Sequence, residues 1–571
     1  MPHVVTQACC GDASCVFACP VNCIHPTPDE PDFATAEMLY IDPASCVDCG
    51  ACVKACPVGA IKPHTRLGEH DLVFLDLNAA FHAEPPATPR PSQAPVPPVV
   101  RLQERGPLRV AVVGAGPAGL YAADELLKQD GVEVTVLDRL PTPHGLVRAG
   151  VAPDHQTTKD IGALFRQIED QRGFDYRLGV RVGTDVSHEE LAAHHDAVVY
   201  ATGASADRRL GIPGEDLPGS LTATDVVAWY NGHPDQVDLR PRLQGRRAVV
   251  VGNGNVALDV ARVLVTDPDR LAVTDVADHA LAALRGSDLR EVVVLGRRGP
   301  AEAAFTMPEL LGLLARDDLD VVVEGVDLDA LPDHPKVQAL RDGVTRDPDP
   351  GRRRIVLRFL TAPVEVVGDQ RVEGLRVTRT ALRDDPVTGR TVAEVVGPEE
   401  VLEASVVLRS VGYRSVPIEG VPFDPDRHLV PNVDGRVLEA PGGDLVPGVY
   451  VVGWAKRGPS GFIGTNKSCS LGTVNALLAD ANAGRLPTPT GGAADLDRLL
   501  RERGTGVVDR DAWRALAAHE RELGRQQGRP RVKLSDVGEM ARVVEAARLA
   551  SPPRRRPSRL ASRARTSGRG A

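Results

Sequence analysis

Long hydrophobic runs are missing from this 571-residue chain. No window approaches the roughly 18 uninterrupted apolar residues of a membrane-crossing helix, so no membrane span is predicted. The amino terminus, MPHVVTQACCGDASC, has neither the basic region nor the apolar segment of a secretory signal, and the expected location is cytoplasmic. Excess positive charge is also missing. A formal net charge of −10, with no basic recognition patch or DNA-binding helix pair, gives no reason to expect nucleic acid as a partner. Cysteine almost disappears after residue 56: nine of ten lie within residues 9–56, and only Cys469 lies beyond. In a reducing compartment such crowding argues for metal rather than disulfides. What remains is ordinary for a globular chain, 42% hydrophobic and 25% charged, and long enough for three or more domains.

The crowded cysteines have a register. Cys46, Cys49, Cys52 and Cys56, followed by Pro57, form the bacterial ferredoxin run, in which three thiolates wrap one iron–sulfur cluster and the fourth serves the other. Cys9, Asp12, Cys15 and Cys19, followed by Pro20, repeat the spacing with an aspartate in the second place. The register pairs Cys19 with Cys46, Cys49 and Cys52 around a 4Fe–4S cluster, and Cys9 with Cys15 and Cys56 around a second. The second is expected to be 3Fe–4S, or 4Fe–4S with Asp12 or solvent as fourth ligand. A structural zinc site wants two Cys-x2-Cys pairs closing one tetrahedron, which fits seven cysteines in duplicate poorly. Cys10 and Cys23 are left over and read as small buried side chains, with Cys23 available as a substitute ligand. Residues 1–83 resemble the seven- or eight-iron bacterial ferredoxins. Seven prolines between Pro85 and Pro98 then predict a semi-rigid linker over 84–106.

Two nucleotide motifs follow. The apolar run Val110–Val113 breaks into Gly114-Ala115-Gly116-Pro117-Ala118-Gly119, then into an apolar-periodic helix. Gly114 permits the tight turn, Gly116 lets a pyrophosphate approach backbone, and Gly119 permits close helix–strand packing. A second strand ends in Asp138, where a ribose-binding acid belongs. Later, Ala248–Val251 leads into Gly252-Asn253-Gly254-Asn255-Val256-Ala257, with alanine replacing the third glycine. The strand Glu291–Leu295 ends in Arg297 and Arg298. A carboxylate there would select NAD, whereas two guanidinium groups suit the 2′-phosphate of NADP.

The stretches GAGPAGLYAADEL, PTPHGLVRAGVAPDH, VVVGNGNVALDVARVL, GRRGPAEAAFTMPEL and GWAKRGPSGFIGTNKS resemble the adrenodoxin-reductase-like ferredoxin–NADP reductases. With the ferredoxin module ahead, residues 1–485 resemble the fused, actinobacterial FprB type of that family. The resemblance implies a multidomain α/β architecture: an α+β ferredoxin domain, then Rossmann-like FAD and NADP domains of the glutathione-reductase type. It implies FAD against Ala118, Asp138, Leu146, Val182, Trp454, Gly461, Phe462 and Ile463. It implies NADP(H) against Arg208, Asn253, Gly254, Asn255, Val256, Arg297, Arg298, Glu309 and the Gly461 backbone. His155 matches a histidine near the flavin that assists proton handling, or else is a hydrogen-bonded structural residue. One departure is Gly312, where the family often carries an acid three residues after the Glu309 equivalent.

The expected domains are a flavin domain over 107–206 and 410–487, an NADP domain over 207–409, and a helical extension over 488–571. The segment Val321–Val407 reads as alternating strands with turns at Asp384-Asp385-Pro386 and Thr388-Gly389. Asp495–Glu522 and Leu534–Leu549 read as helical, with Ser535 and Asp536 as caps. The tail Ser551–Ala571 has seven arginines and no acid. The expected activity is ferredoxin–NADP(+) reductase: hydride transfer between NADPH and FAD, then single electrons to or from iron–sulfur clusters. The acceptor is the fused ferredoxin, an external ferredoxin or another one-electron acceptor such as a cytochrome P450. The alternatives are an electron-input subunit resembling the glutamate synthase small subunit and a non-enzymatic redox sensor. A disulfide reductase is excluded, because Cys469 has no partner cysteine.

Overall fold

In the computed structural model, residues 2–84, 90–103, 107–385 and 391–550 are described. The linker's Pro85–Pro89, the turn residues Pro386, Thr388 and Gly389, and the arginine-rich tail lie outside them.

The duplicated cysteine register is also a duplicated backbone. Each run leads into one short helix, Ser14–Ala18 and Ala51–Ala55. Each helix is preceded by a left-handed residue, Ala13 at φ 57° and Gly50 at φ 69°, and followed by an extended cysteine, Cys19 and Cys56. His3–Val5 pairs antiparallel with Ile61–Pro63, and Ile24–His25 with Tyr40–Ile41. The helix Val73–Phe81 closes the domain through buried Asn78. Its Oδ1 accepts from Val5 N and Ile41 N, and its Nδ2 donates to Val5 O and Phe74 O.

Beyond the linker, valine-rich strands buried on both faces build two mainly parallel sheets. The first is seven-stranded. Its order is 432–433, 436–438, 445–451, 197–200, 108–113, 132–138, 174–178, so two distant chain segments share one sheet. The second is six-stranded, in the order 220–222, 406–409, 247–251, 291–295, 353–358, 319–324. A three-stranded antiparallel sheet, Thr361–Val367, Gly374–Asp384 and Thr391–Glu403, stands off it.

Two expectations need correction. The segment read as alternating strands contains a helix, Pro335–Gly343, with proline at its first position and His334 Nδ1 accepting from Lys336 N. The stretch read as helical over Asp495–Glu522 is not continuous but holds two helices, Ala493–Glu502 and Arg510–Gln526. Gly504 at φ 70° ends the first, and Asp509 Oδ1 caps the second by accepting from Ala512 N at 2.9 Å. Among the described residues no helix is long and apolar enough to cross a membrane.

Candidate cofactor sites

The three glycines of the first turn are glycine for different reasons. Gly114 has φ 113°, and a Cβ there would lie 2.4 Å from Ala201 O. A Cβ at Gly119 would lie 2.0 Å from Gly114 O. At Gly116 the nearest atom would be Gly145 Cα at 3.9 Å, so protein packing does not demand this glycine. Open space at the N-terminus of the helix Pro117–Leu127 fits a pyrophosphate, which the exposed amide hydrogens and helix dipole favour. Asp138 ends the neighbouring strand; its Oδ2 accepts from Ala115 N at 2.8 Å and its Oδ1 from Leu140 N at 2.9 Å. Burial raises its carboxyl above the ordinary value despite both bonds. Gly461 (φ 76°), Phe462 and Ile463 form the loop before the helix Thr465–Asn482, with Phe462 N donating to Thr465 Oγ1. Trp454 is fixed by Nε1 donating to Ser460 O at 3.0 Å. Leu146, 43% exposed, starts a short helix beside the turn, and Val182 sits at the far end of the sheet on its other apolar face.

The second turn repeats the logic. A Cβ at Gly252 would lie 2.2 Å from Ser410 O, whereas at Gly254 the nearest atom is Ala304 Cβ at 4.0 Å. Ala257 is buried, as the helix–strand contact requires, and Val256 packs beside it. Asn255 clamps the next loop: its Oδ1 accepts from Thr306 N at 2.8 Å, and its Nδ2 donates to Thr306 Oγ1. Asn253 Oδ1 accepts from Ala304 N. Arg297 is exposed and Arg298 partly so. Among the described residues neither guanidinium has a carboxylate partner, so both are available to an anion. Arg208 is exposed beside Gly412.

A charged network, invisible in the motifs, ties Asp154 and His155 to the helices that carry Arg262 and Glu309. Buried Arg262 contacts Asp154 (2.7 Å), Asp259 (2.7 Å) and Glu309 (3.8 Å). His155 Nε2 lies 2.9 Å from Arg262 Nη2 and, since a guanidinium only donates, accepts there. Burial tends to raise the Asp154 carboxyl, but Arg262 outweighs it and holds Asp154 well below the usual carboxylate range. Burial, reinforced by Asp259, raises Glu309. The signal for this network is an arginine inside the apolar helix Asn255–Val265, since a buried charge needs partners.

The seven register cysteines separate into two groups. Cys19, Cys46, Cys49 and Cys52 line one apolar cavity with Cys23, Ile24 and Ile41. Cys9, Cys15 and Cys56 lie off that cavity lining and near one another, Cys15 feeling the charge of Cys9 and Cys56 and, less, of Cys52. Burial pushes the Cys9 and Cys52 thiols up to about 11, so bare thiolates are disfavoured and a cationic iron centre fits the donor set. Backbone amides reach the sulfurs, with Ala60 N donating to Cys56 Sγ at 3.3 Å and Cys23 N to Cys19 Sγ at 3.4 Å. All ten cysteines are free of disulfides. Asp12 has both oxygens bonded to Ser14 and one near Lys467, and its charge acts on the neighbouring Cys9, Cys10 and Cys15. Cys10 and Cys23 are both buried, Cys23 Sγ lying 3.4 Å from Cys19 Sγ.

Comparison with known proteins agrees with this arrangement. Residues 39–62 match the 4Fe-4S binding domain model, and residues 108–293 match the pyridine nucleotide-disulphide oxidoreductase model. Only the fold of the latter is used, since Cys469 is the one cysteine outside the ferredoxin region. A Mycobacterium tuberculosis protein named ferredoxin/ferredoxin–NADP reductase is 51% identical over 568 residues, covering 96% of each chain. The NADPH-ferredoxin reductase FprA of the same organism is 45% identical over 76% of this chain and 99% of its own. The structure of that FprA in complex with NADPH superposes with a TM-score of 0.73 at 44% identity, covering 77% of this chain and all of FprA. With an iron–sulfur domain, two Rossmann-like sheets and a relative matched along nearly its whole length, the chain belongs to the ferredoxin/ferredoxin–NADP reductase family.

Proposed function

We propose that the chain is an NADPH-dependent reductase moving electrons between NADP(H), FAD and the iron–sulfur centres of its own ferredoxin domain. The observation that carries this is the pair of open glycine cradles, Gly116 and Gly254, beside two separate cysteine groups. Bound FAD would supply the exchange between two-electron nicotinamide chemistry and one-electron iron–sulfur chemistry. The protein's task is to orient and insulate. Gly116, Ala118 and Asp138 hold the flavin nucleotide on the turn that Gly114 and Gly119 shape, with Leu146, Val182, Trp454 and Gly461–Ile463 along the rest of it. Arg208, Asn253, Gly254, Asn255, Val256, Arg297 and Arg298 hold NADP(H). His155 and Glu309 face the region between them; the raised Glu309 carboxyl is the better group to hold a proton, since His155 Nε2 is occupied by Arg262. The names of the mycobacterial relatives support NADPH and a ferredoxin as the two ends of the pathway.

Four thiolates suit 4Fe–4S in the Cys19/Cys46/Cys49/Cys52 site. Three thiolates suit 3Fe–4S in the Cys9/Cys15/Cys56 site, with Asp12 engaged elsewhere. External acceptors are a ferredoxin or another one-electron protein such as a cytochrome P450, in a reducing cytoplasm. Purified protein should contain FAD and about seven irons, and should oxidise NADPH with an artificial one-electron acceptor. Absence of NADPH oxidation by flavin-loaded protein would overturn the reading.

A further inference from the structure

The ferredoxin domain is seated on the reductase through the loop that carries its irregular cysteine run. Gly464 N donates to Cys10 O at 2.7 Å. Lys467 Nζ donates to Ser14 Oγ at 2.8 Å, and Ser14 Oγ donates to Asp12 Oδ2 at 2.5 Å. Asp12 Oδ1 accepts from Ser14 N, and the residue is buried. Cys10, Val58 and Ala60 join the apolar core that contains Ala118 and Tyr121 of the flavin domain. On the other side, Gln7 Nε2 donates to Glu309 Oε2 at 3.3 Å, and Glu37 Oε2 accepts from Met307 N at 2.7 Å.

Two reductase glycines meet this seat first. Gly464 has a φ of −73° that any residue adopts, yet a Cβ there would lie 2.1 Å from Asp12 N. Gly312 sits inside the helix Met307–Leu314, where glycine costs roughly 0.5–1 kcal/mol relative to alanine. A Cβ at 312 would lie 2.3 Å from Gln7 Nε2. The acid missing from position 312 thus leaves the space that Gln7 fills.

We propose that Asp12 is a docking residue rather than an iron ligand, and that this seat makes the three-cysteine site the one that exchanges electrons with the flavin. The four-cysteine site is then the outer station. This rests on the reading of both cysteine groups as iron–sulfur sites. A Cβ on Gly11 would meet Phe462 Cβ at 3.8 Å, in the loop assigned to the flavin, whereas Cys49 is exposed and Val47 is 59% exposed on the outer site. Each NADPH gives two electrons and one proton as a hydride. With FAD and the iron–sulfur centres bound, those electrons would pass on singly, each reducing one centre by one electron, and the proton would go to solvent.

The test is anaerobic stopped flow of the full-length holoenzyme with NADPH, read at flavin and cluster wavelengths, for wild type, Gly464→Ala, Lys467→Ala and Asp12→Asn. Wild type should reduce its clusters at a rate independent of protein concentration. Each variant should slow cluster reduction at least about tenfold, as effective concentration falls, with flavin reduction unchanged. The EPR spectrum of the oxidised three-cysteine cluster should stay the same, and hydrogen exchange at the Gly464 amide should accelerate. An altered EPR spectrum in Asp12→Asn would make Asp12 a ligand and overturn the docking role. Undiminished cluster reduction in both Gly464→Ala and Lys467→Ala would overturn the seat as the electron route. Lack of iron at the three-cysteine site, with Gly464 still protected, would instead refute the iron–sulfur reading.

Discussion

At the scale of single residues, steric and electrostatic demands separate cofactor contacts from scaffold. Gly114 and Gly119 answer to atoms of the protein, while at Gly116 no protein atom comes nearer than 3.9 Å, and the proposed reading gives that space to the cofactor. Gly116→Val should therefore leave a folded chain with weakened FAD retention, measured as the FAD-to-protein ratio after gel filtration. Full retention would remove Gly116 from the cradle. In the proposed reading the pair Arg297 and Arg298, which has no carboxylate partner among the described residues, sets the nucleotide preference. Replacing both with alanine removes charge-assisted bonds of about 1.5–3 kcal/mol each, together about 3–6 kcal/mol, so the KM for NADPH should rise roughly 100-fold or more. NADH kinetics should change little, because NADH has no 2′-phosphate; an equal effect on both cofactors would sink the assignment. These residues were legible in the sequence because each follows a strand at a fixed offset. Asp154 as the partner of Arg262 was not, since 108 residues separate the two, whereas Asp259 lies one turn from Arg262 on the same helix.

At the scale of elements, local signals placed most strands, and missed boundaries have identifiable causes. Glu291–Leu295 and Ala197–Tyr200 follow from short buried apolar runs. The helix Pro335–Gly343 has a weak signal in the sequence because its flanking segments are rich in strand formers and turn residues. The helix His188–His194 shows how an element can confer pH dependence. A capping box of Ser187 and Glu190 starts it, and His195 ends it, buried, with Nδ1 donating to Leu191 O at 2.9 Å. Burial lowers His195 to about 4 from an unfolded value near 6.5. A depressed folded pKa means this histidine's contribution is complete above about pH 6.5 and is lost as pH falls towards 4. The loss amounts to roughly 3 kcal/mol. His195→Gln, which keeps a donor, should flatten the fall of the thermal midpoint between pH 6.5 and 4.5; an unchanged slope would exclude His195 as the cause.

At the scale of the whole molecule, distant segments fasten the domains together. The linker end is held along the helix Thr465–Asn482 by two asparagines. Val100 N donates to Asn475 Oδ1 and Asn475 Nδ2 to Pro98 O, and Asn482 bonds Gln103 N and Arg101 O likewise. The carboxy-terminal helices strap both nucleotide domains. Glu520, fully buried, accepts from Arg148 at 2.5 and 2.8 Å. Lys533 bridges Asp275 (2.9 Å), Asn231 (2.9 Å) and Arg148 O (3.0 Å), and Arg529 donates to Thr274 O and Asp278. Glu520→Ala leaves the Arg148 charge buried without its partner and should cost about 3–5 kcal/mol, seen as a lower thermal midpoint with earlier FAD release. Lys533→Met should cost less, because Lys159 still pairs with Asp275 at 2.7 Å. A larger effect of Lys533→Met would reverse that ranking.

The sequence by itself determined the parts: the duplicated cysteine run, the two strand–glycine–helix turns, the arginine pair and the order of domains. Such features are local, because turn chemistry, thiolate spacing and strand burial act over a few residues. Only the tertiary structure decided that Asp12 faces Lys467, that Gly312 opposes Gln7, that Arg262 gathers three carboxylates and that the carboxy-terminal helices bridge the nucleotide domains. Each joins residues far apart in the chain, and their pairing is set by how domains pack rather than by any spacing in the sequence.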